Sequence, residues 1–198
     1  MTLHLLSPPA AEPVSLAEAK TWLRAGHDAE DALIGDLIAA ARERVEIETG
    51  LALITRSYRE ILDAWPERRL SAFGQAVSAA VAPLQSVEAV RTYDRTGTET
   101  VFDPAEYRVE TGEPGRVIAV YPFSLPRPDA RGGRIEIDFT AGYGASADAV
   151  PAALREAVLR LVGEAYSDTE RAESARRGEG GLPDAVEALL RPFRRVRL

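Results

Sequence analysis

The sequence predicts an α+β protein in which a helical bundle core of three to four helices carries an inserted antiparallel β domain. Three observations lead to this prediction. Apolar residues recur at helical spacing over residues 15–53. They alternate with polar residues, as in strands, over residues 54–144, where turn residues are also frequent. Helical spacing then returns over residues 145–173, which predicts the second half of the helical core.

The first 14 residues are predicted to be an extended N-terminal arm. Prolines at three of these positions exclude a regular helix, because proline lacks a backbone N–H and clashes with the preceding turn. Ser15 and Glu18 then form a capping-box pattern, in which each side chain accepts the other residue's backbone N–H. A short helix is therefore expected to begin here and to end near Arg24.

The long helix over residues 28–50 is the element around which the other helices are expected to pack. Asp28 is predicted to cap its start and Gly50 to end it. Arg44 and Glu48 are predicted to form an ion pair at the rim of the core. One arc of the helix is apolar: Leu33, Ile34, Leu37, Ile38, Ala41 and Val45. The opposite arc is expected to face solvent: Asp36, Arg42, Glu43 and Glu46.

The β domain is predicted to contain a strand over residues 54–62 and two hairpins. Residues 87–93 and 98–102 flank a glycine-containing turn, and so do residues 107–110 and 116–121. A proline- and glycine-rich stretch over residues 125–133 is expected to be an exposed loop.

Residues 134–140 show the clearest strand pattern, because apolar and charged residues alternate without a break. Ile135, Ile137 and Phe139 are expected to pack in the core. The opposite face is expected to be wet: Arg134, Glu136 and Asp138.

Pro151 suits the first position of a helix that extends to about residue 170, and a flexible polar linker is predicted over residues 174–181. A short C-terminal helix and a basic tail follow over residues 182–198. So short a helix needs a surface to pack on, and two surfaces are open: the parent bundle or a partner protein. The candidate partner interface is Val186, Leu189, Leu190, Arg191, Phe193, Arg194, Arg195 and Arg197.

Composition excludes several classes of protein. The formal net charge of −7 argues against a surface that wraps nucleic acid, since such a surface neutralises phosphates with clustered Lys and Arg. The absence of cysteine excludes disulfides and thiolate zinc sites. The sequence contains no long apolar run and no secretory signal pattern, so a soluble intracellular protein without membrane contact is expected.

No catalytic, cofactor-binding or metal-binding residue is predicted. His4 and His27 are the only histidines, and each lies in a predicted arm or connector. The acidic residues 28, 30 and 31 are better explained by the start of a helix than by a cation site. The glycines at 142–144 and 178–181 lack the pattern of a phosphate-binding loop.

Seven segments, in their order and spacing, together resemble the head-tail connector (adaptor) proteins of long-tailed phages and gene transfer agents. The segments are PVSLAEAKTWLR, DALIGDLIAAARERVEIETGLALITRSY, PLQSVEAVRTYD, EYRVE, DFTAGYG, VPAALREAVL and LPDAVEALLRPFR. The resemblance covers nearly the whole chain. It does not distinguish a phage from a prophage remnant or a gene transfer agent.

The resemblance implies a structural protein, not an enzyme. It implies a ring of identical subunits, commonly twelve, made in the bacterial cytoplasm and placed in the neck of the particle. The implied partners are other copies of the chain, the portal protein, and a connector or stopper protein on the tail side. DNA would pass through the ring without specific binding, which favours an acidic or neutral channel wall. The C-terminal segment would serve in assembly.

Two other classes of function remain open. A small-molecule or peptide-binding α+β module would use the inserted sheet as its pocket and would be a monomer or dimer. An enzyme is disfavoured because the residues of a catalytic triad or metal site are missing.

Overall fold

The computed structural model describes residues 1–65, 69–71, 74–120, 125, 133–170 and 181–194. These residues contain four α-helices and nine strands, and every strand pair is antiparallel, which confirms the α+β class. The chain divides into two compact units. The sheet unit comprises Met1–Pro9 and Thr55–Gly142, and the helical unit comprises Ala10–Ile54 and Tyr143–Leu198.

The helical unit contains all four α-helices. They are α1 (Leu16–Leu23), α2 (Asp31–Thr49), α3 (Ala152–Glu170) and α4 (Asp184–Leu190). A 3-10 turn, Arg191–Phe193, follows α4 directly. Helix α3 contacts the other three helices, so their apolar faces share one core around it. Fully buried side chains in this core include Ile34, Val45, Leu154, Val158 and Leu190.

Helix α1 begins with the predicted capping box. The Glu18 N–H donates to the Ser15 hydroxyl at 3.2 Å, and the Ser15 N–H donates to the Glu18 carboxylate at 2.9 Å. The hydrogen bond from the Ser15 backbone lowers the pKa of Glu18, because it favours the ionised form. Arg24 ends the helix in the left-handed conformation, with φ of 58°.

Helix α2 ends at Gly50 as predicted, with φ of 72°, but its predicted start is wrong. The helix begins at Asp31, and its N-cap, Glu30, makes no side-chain cap hydrogen bond. Asp28 does not cap the helix because its carboxylate binds the Lys20 ammonium at 2.6 Å. Lys20 also reaches Asp31 at 2.6 Å, so one cation from α1 binds two carboxylates at the start of α2.

The predicted exposure of Arg42 is also wrong, since this residue is only 4% exposed. Its guanidinium donates to Glu12 at 2.8 Å and to Glu46 at 3.1 Å. Glu12 belongs to the segment before α1, and this segment lies over a face of α2 that helical periodicity marks as polar. The ion pair between Arg44 and Glu48 is confirmed, at 3.1 Å.

The sheet unit contains two sheets. The first has five strands in the order β1-β2-β9-β5-β6, and the second has four in the order β3-β4-β8-β7. The strands of the first sheet are β1 (Thr2–Leu5), β2 (Arg56–Leu62), β5 (Leu84–Tyr93), β6 (Glu99–Val101) and β9 (Arg134–Ala141). Those of the second are β3 (Arg69–Ser71), β4 (Gly74–Ser78), β7 (Tyr107–Glu110) and β8 (Arg116–Ala119).

Both predicted hairpins are confirmed, as β5 with β6 and β7 with β8. Strand β1 lies within the predicted N-terminal arm and pairs with β2. Of the predicted exposed loop over residues 125–133, the structure describes Leu125 and Gly133, and Leu125 is buried. Within the predicted linker, residues 174–180 lie outside the described residues.

Candidate interaction surfaces

The acidic side chains near the start of α2, for which the sequence favours a helix start over a cation site, make structural contacts in the described part of the chain. No three His, Asp or Glu side chains among the described residues are grouped to hold a metal ion. Of the acidic residues near the start of α2, Asp28 and Asp31 bind Lys20, and Glu30 accepts a hydrogen bond from the Tyr166 hydroxyl at 2.5 Å. None of the described helices is long and apolar enough to cross a membrane.

The charged face of the five-stranded sheet carries a network centred on Asp138. Arg59 donates to both oxygens of the Asp138 carboxylate, at 2.6 and 2.8 Å, in the parallel geometry of a bidentate pair. Arg91 donates to the same carboxylate at 2.6 Å from the opposite neighbouring strand. Asp138 therefore links three strands, β2, β9 and β5, through its side chain.

A second acid, Glu136, extends this network along β9. It accepts from Arg134 at 2.8 Å, and Arg59 lies 3.7 Å away. The Arg134 guanidinium lies over the Tyr93 ring at 4.1 Å, and the Tyr93 hydroxyl donates to Glu99 at 2.7 Å. This hydrogen bond, with partial burial, raises the pKa of Tyr93 to about 12.

The prediction that this face of β9 is wet is wrong for its two acids. Glu136 is 5% exposed and Asp138 is 9% exposed, because arginine side chains from β2 and β5 cover them. The hydrogen bonds from Arg59 lower the pKa of Asp138, and Arg91 adds to this effect. The charges on this face are therefore paired. Arg59, Arg91 and Arg134 form ion pairs with three acids: Glu99, Glu136 and Asp138.

The predicted interface at the C-terminus divides into a buried part and an accessible part. Val186 and Leu190 are 1% and 0% exposed, because α4 packs on α3. Leu189 and Phe193 are half-buried, whereas Arg191 is exposed.

Arg194 continues the accessible part, since it is exposed. Arg194 donates to Glu187 at 2.8 Å and to Glu48 at 3.4 Å, so it attaches the end of the described segment to α4 and α2. The remaining predicted interface residues, Arg195 and Arg197, lie outside the described residues.

A cleft of about 450 Å³ lies in the helical unit. Its lining includes Trp22, Leu23, His27, Gly163 and Tyr166. Gly163 permits the close approach of the Trp22 ring, since a Cβ at this position would lie 3.2 Å from Trp22 Nε1. This cleft is in the helical unit, whereas the binding-module hypothesis expected a pocket formed by the sheet.

Comparison with known proteins gives the class of this chain. Residues 13–103 match the family model of the phage gp6-like head-tail connector protein. No curated protein matches the sequence significantly. Chains similar to this one over its whole length are found in solved structures of gene transfer agent particles.

One such chain is in the neck of an empty GTA particle computed with C6 symmetry, with 33% identity and a TM-score of 0.79. Another, in the virion of a native gene transfer agent (GTA) particle, has 32% identity and a TM-score of 0.78. The third, in the neck of a native GTA particle computed with C12 symmetry, has 32% identity and a TM-score of 0.74. Each comparison covers 100% of this chain and 97% of the other.

The fold and these similarities define a structural protein of phage-like particles. The chain belongs to the phage gp6-like head-tail connector family. These comparisons confirm the resemblance inferred from the seven sequence segments. As a member of this family, the chain has a structural role at the junction between head and tail.

Proposed function

We propose that this chain is one subunit of a ring, commonly of twelve copies, in the neck of a phage or phage-like particle. The observation that carries the proposal is the similarity to GTA neck chains across 100% of the sequence, at 32–33% identity. The C6 and C12 symmetries of those necks support a ring. In the proposed subunit, the strand-rich segment is a domain inserted into a helical bundle, and neither part acts as an enzyme.

The proposed partners are the portal protein on the head side and a connector or stopper protein on the tail side. We assign portal docking to the C-terminal segment. In this arrangement Val186 and Leu190 hold α4 against α3, since both are buried. The contact with the portal then falls to Leu189, Arg191, Phe193, Arg194, Arg195 and Arg197. The arginines would orient the encounter, and Phe193 would supply apolar contact.

Assembly in solution tests the ring. The purified chain, mixed with its cognate portal protein, is expected to give portal-bound particles carrying about twelve copies of the 21.4 kDa chain. Mass photometry measures the added mass, and electron microscopy of the same sample shows whether the copies form a ring. A chain that stays monomeric or dimeric beside an intact portal would contradict the proposal and favour the binding-module alternative.

The wall of the ring is expected to be acidic or neutral, so that the duplex slides through it without being held. The net charge of −7 supports this expectation, because a wall rich in unpaired Lys and Arg would retain phosphates. The isolated chain should therefore show no duplex binding at about 0.15 M salt in fluorescence anisotropy. Tight binding that weakens steeply with added salt would count against it.

A further inference from the structure

The five-stranded sheet has two unlike edge strands, β1 and β6, and no other strand of the described residues pairs with their outer sides. Every residue of Thr2–Leu5 and of Glu99–Val101 is exposed. Leu5 is 50% exposed and Val101 is 55% exposed, so each edge presents apolar side chains. Proteins usually protect free edges with lysine, proline or a covering segment. Neither β1 nor β6 contains lysine or proline.

The backbone of each edge has groups directed away from its sheet. The Leu6 N–H donates to the Ser57 carbonyl at 2.9 Å, so the even-numbered residues of this segment bond to β2. By the alternation of an antiparallel ladder, the N–H and C=O groups of Leu3 and Leu5 point outward. The same reasoning applies at β6, where the Phe102 N–H donates to the Val90 carbonyl at 2.9 Å. Its outward-pointing residues are therefore 99 and 101.

Strand direction shows which partner suits these edges. Four antiparallel ladders separate β1 from β6, so the two edge strands run in the same direction. Neighbours in a twelve-membered ring are related by a rotation of about 30°, which nearly preserves strand direction. Because β1 and β6 run in the same direction, β6 of one subunit can pair with β1 of its neighbour as a parallel pair. A two-fold dimer would instead bring like edges together.

We propose that β6 of each subunit pairs in parallel with β1 of the next copy of this chain, so that the five-stranded sheets join into a continuous belt around the ring. The inference rests on the proposed ring and adds the surface that closes it. The residue pairing from strand to strand places five residues in one row on one face of the sheet: Thr2, Ile61, Glu136, Arg91 and Val101. His4 and Glu99 are on this same face, which allows the histidine of one copy to approach the acid of the next.

Cysteine crosslinking tests the belt without background, since the chain has no cysteine. Two double variants, Thr2→Cys with Val101→Cys and His4→Cys with Val101→Cys, place both thiols on one face in two alternative registers. After oxidation of portal-bound rings, at least one variant should give a ladder of covalent oligomers on a non-reducing gel, with loss of the monomer band. Reduction should restore the monomer.

The matched control is Leu3→Cys with Val101→Cys, whose thiols lie on opposite faces of the belt and are too far apart for a disulfide. It should remain monomeric on the gel. Crosslinking of the single variant His4→Cys would indicate that like edges meet and would overturn the proposal. The same conclusion follows if electron microscopy shows rings of the double variants but neither same-face pair crosslinks. If the unmodified chain forms no ring on the portal, the proposed function fails as well.

Discussion

Replacing Asp138 by alanine is expected to lower the free energy of unfolding by about 3 kcal/mol, because it removes a buried carboxylate and leaves two half-buried arginines without their shared acceptor. Arg59 and Arg91 both donate to this carboxylate, and Arg59 does so through two hydrogen bonds. Asp138→Asn should cost less, about 2 kcal/mol, since the amide oxygen still accepts one hydrogen bond. Denaturation in urea, followed by circular dichroism, measures both values.

The same carboxylate is expected to make the protein sensitive to acid. The pKa of Asp138 is lowered in the folded state, chiefly by the hydrogen bonds from Arg59. Its contribution to stability is therefore present above the unfolded pKa of about 3.9 and is lost as the pH falls through the lower folded value. Asp138→Asn should remove this part of the pH dependence between about pH 5 and pH 2.

Asp36→Asn is the control, because Asp36 is an exposed residue of α2. Its stability and pH profile should match those of the unmodified chain within about 0.5 kcal/mol. Equal effects of the two asparagine variants would show that the Asp138 network contributes nothing specific to stability.

Removing the C-terminal segment in two steps is expected to separate folding from docking. Deletion of residues 182–198 should lower the free energy of unfolding by about 4 kcal/mol, since it removes the fully buried side chains of Val186 and Leu190. From sequence, α4 could equally have packed on a partner, and its removal would then have left a stable subunit. The buried position of α4 on α3 changes this expectation.

Deletion of residues 195–198 should leave stability unchanged and abolish the joining of heads to tails, if the basic tail docks on the portal. Thermal unfolding measures the first effect, and counting tailed particles by electron microscopy measures the second. A matched variant, Arg160→Ala, removes an arginine from the exposed face of α3 and should join tails normally. Particles that lack residues 195–198 and still acquire tails would refute the docking proposal.

Local patterns explain why much of the fold could be predicted. The capping box of Ser15 and Glu18 and the left-handed Gly50 depend on a few neighbouring residues, and so do the two hairpin turns. Such features are set by backbone sterics and short-range hydrogen bonds, which the sequence displays directly. The order of the seven segments also identified the family, because their spacing follows the helices and strands of one fold.

The predictions from sequence were wrong where a segment distant in sequence determines the surroundings of a residue. Arg42 lies on the polar arc of α2 and is buried by the segment that carries Glu12. Asp138 lies on the face of β9 that the alternation of apolar and charged residues marks as polar, yet arginines from two other strands cover it. Asp28 was available to cap α2, but Lys20 of α1 binds it.

The sequence by itself determined the α+β class, the two hairpins and the family, since periodicity, turn residues and segment order are local properties of the chain. Only the tertiary structure decided that Asp138 is shared by two arginines, that α4 packs on α3, and that β1 and β6 are the outermost described strands of one sheet. The physical reason is that strand order and the partners of charged side chains depend on contacts between residues far apart in sequence. Helical and strand periodicity contains no information about those contacts.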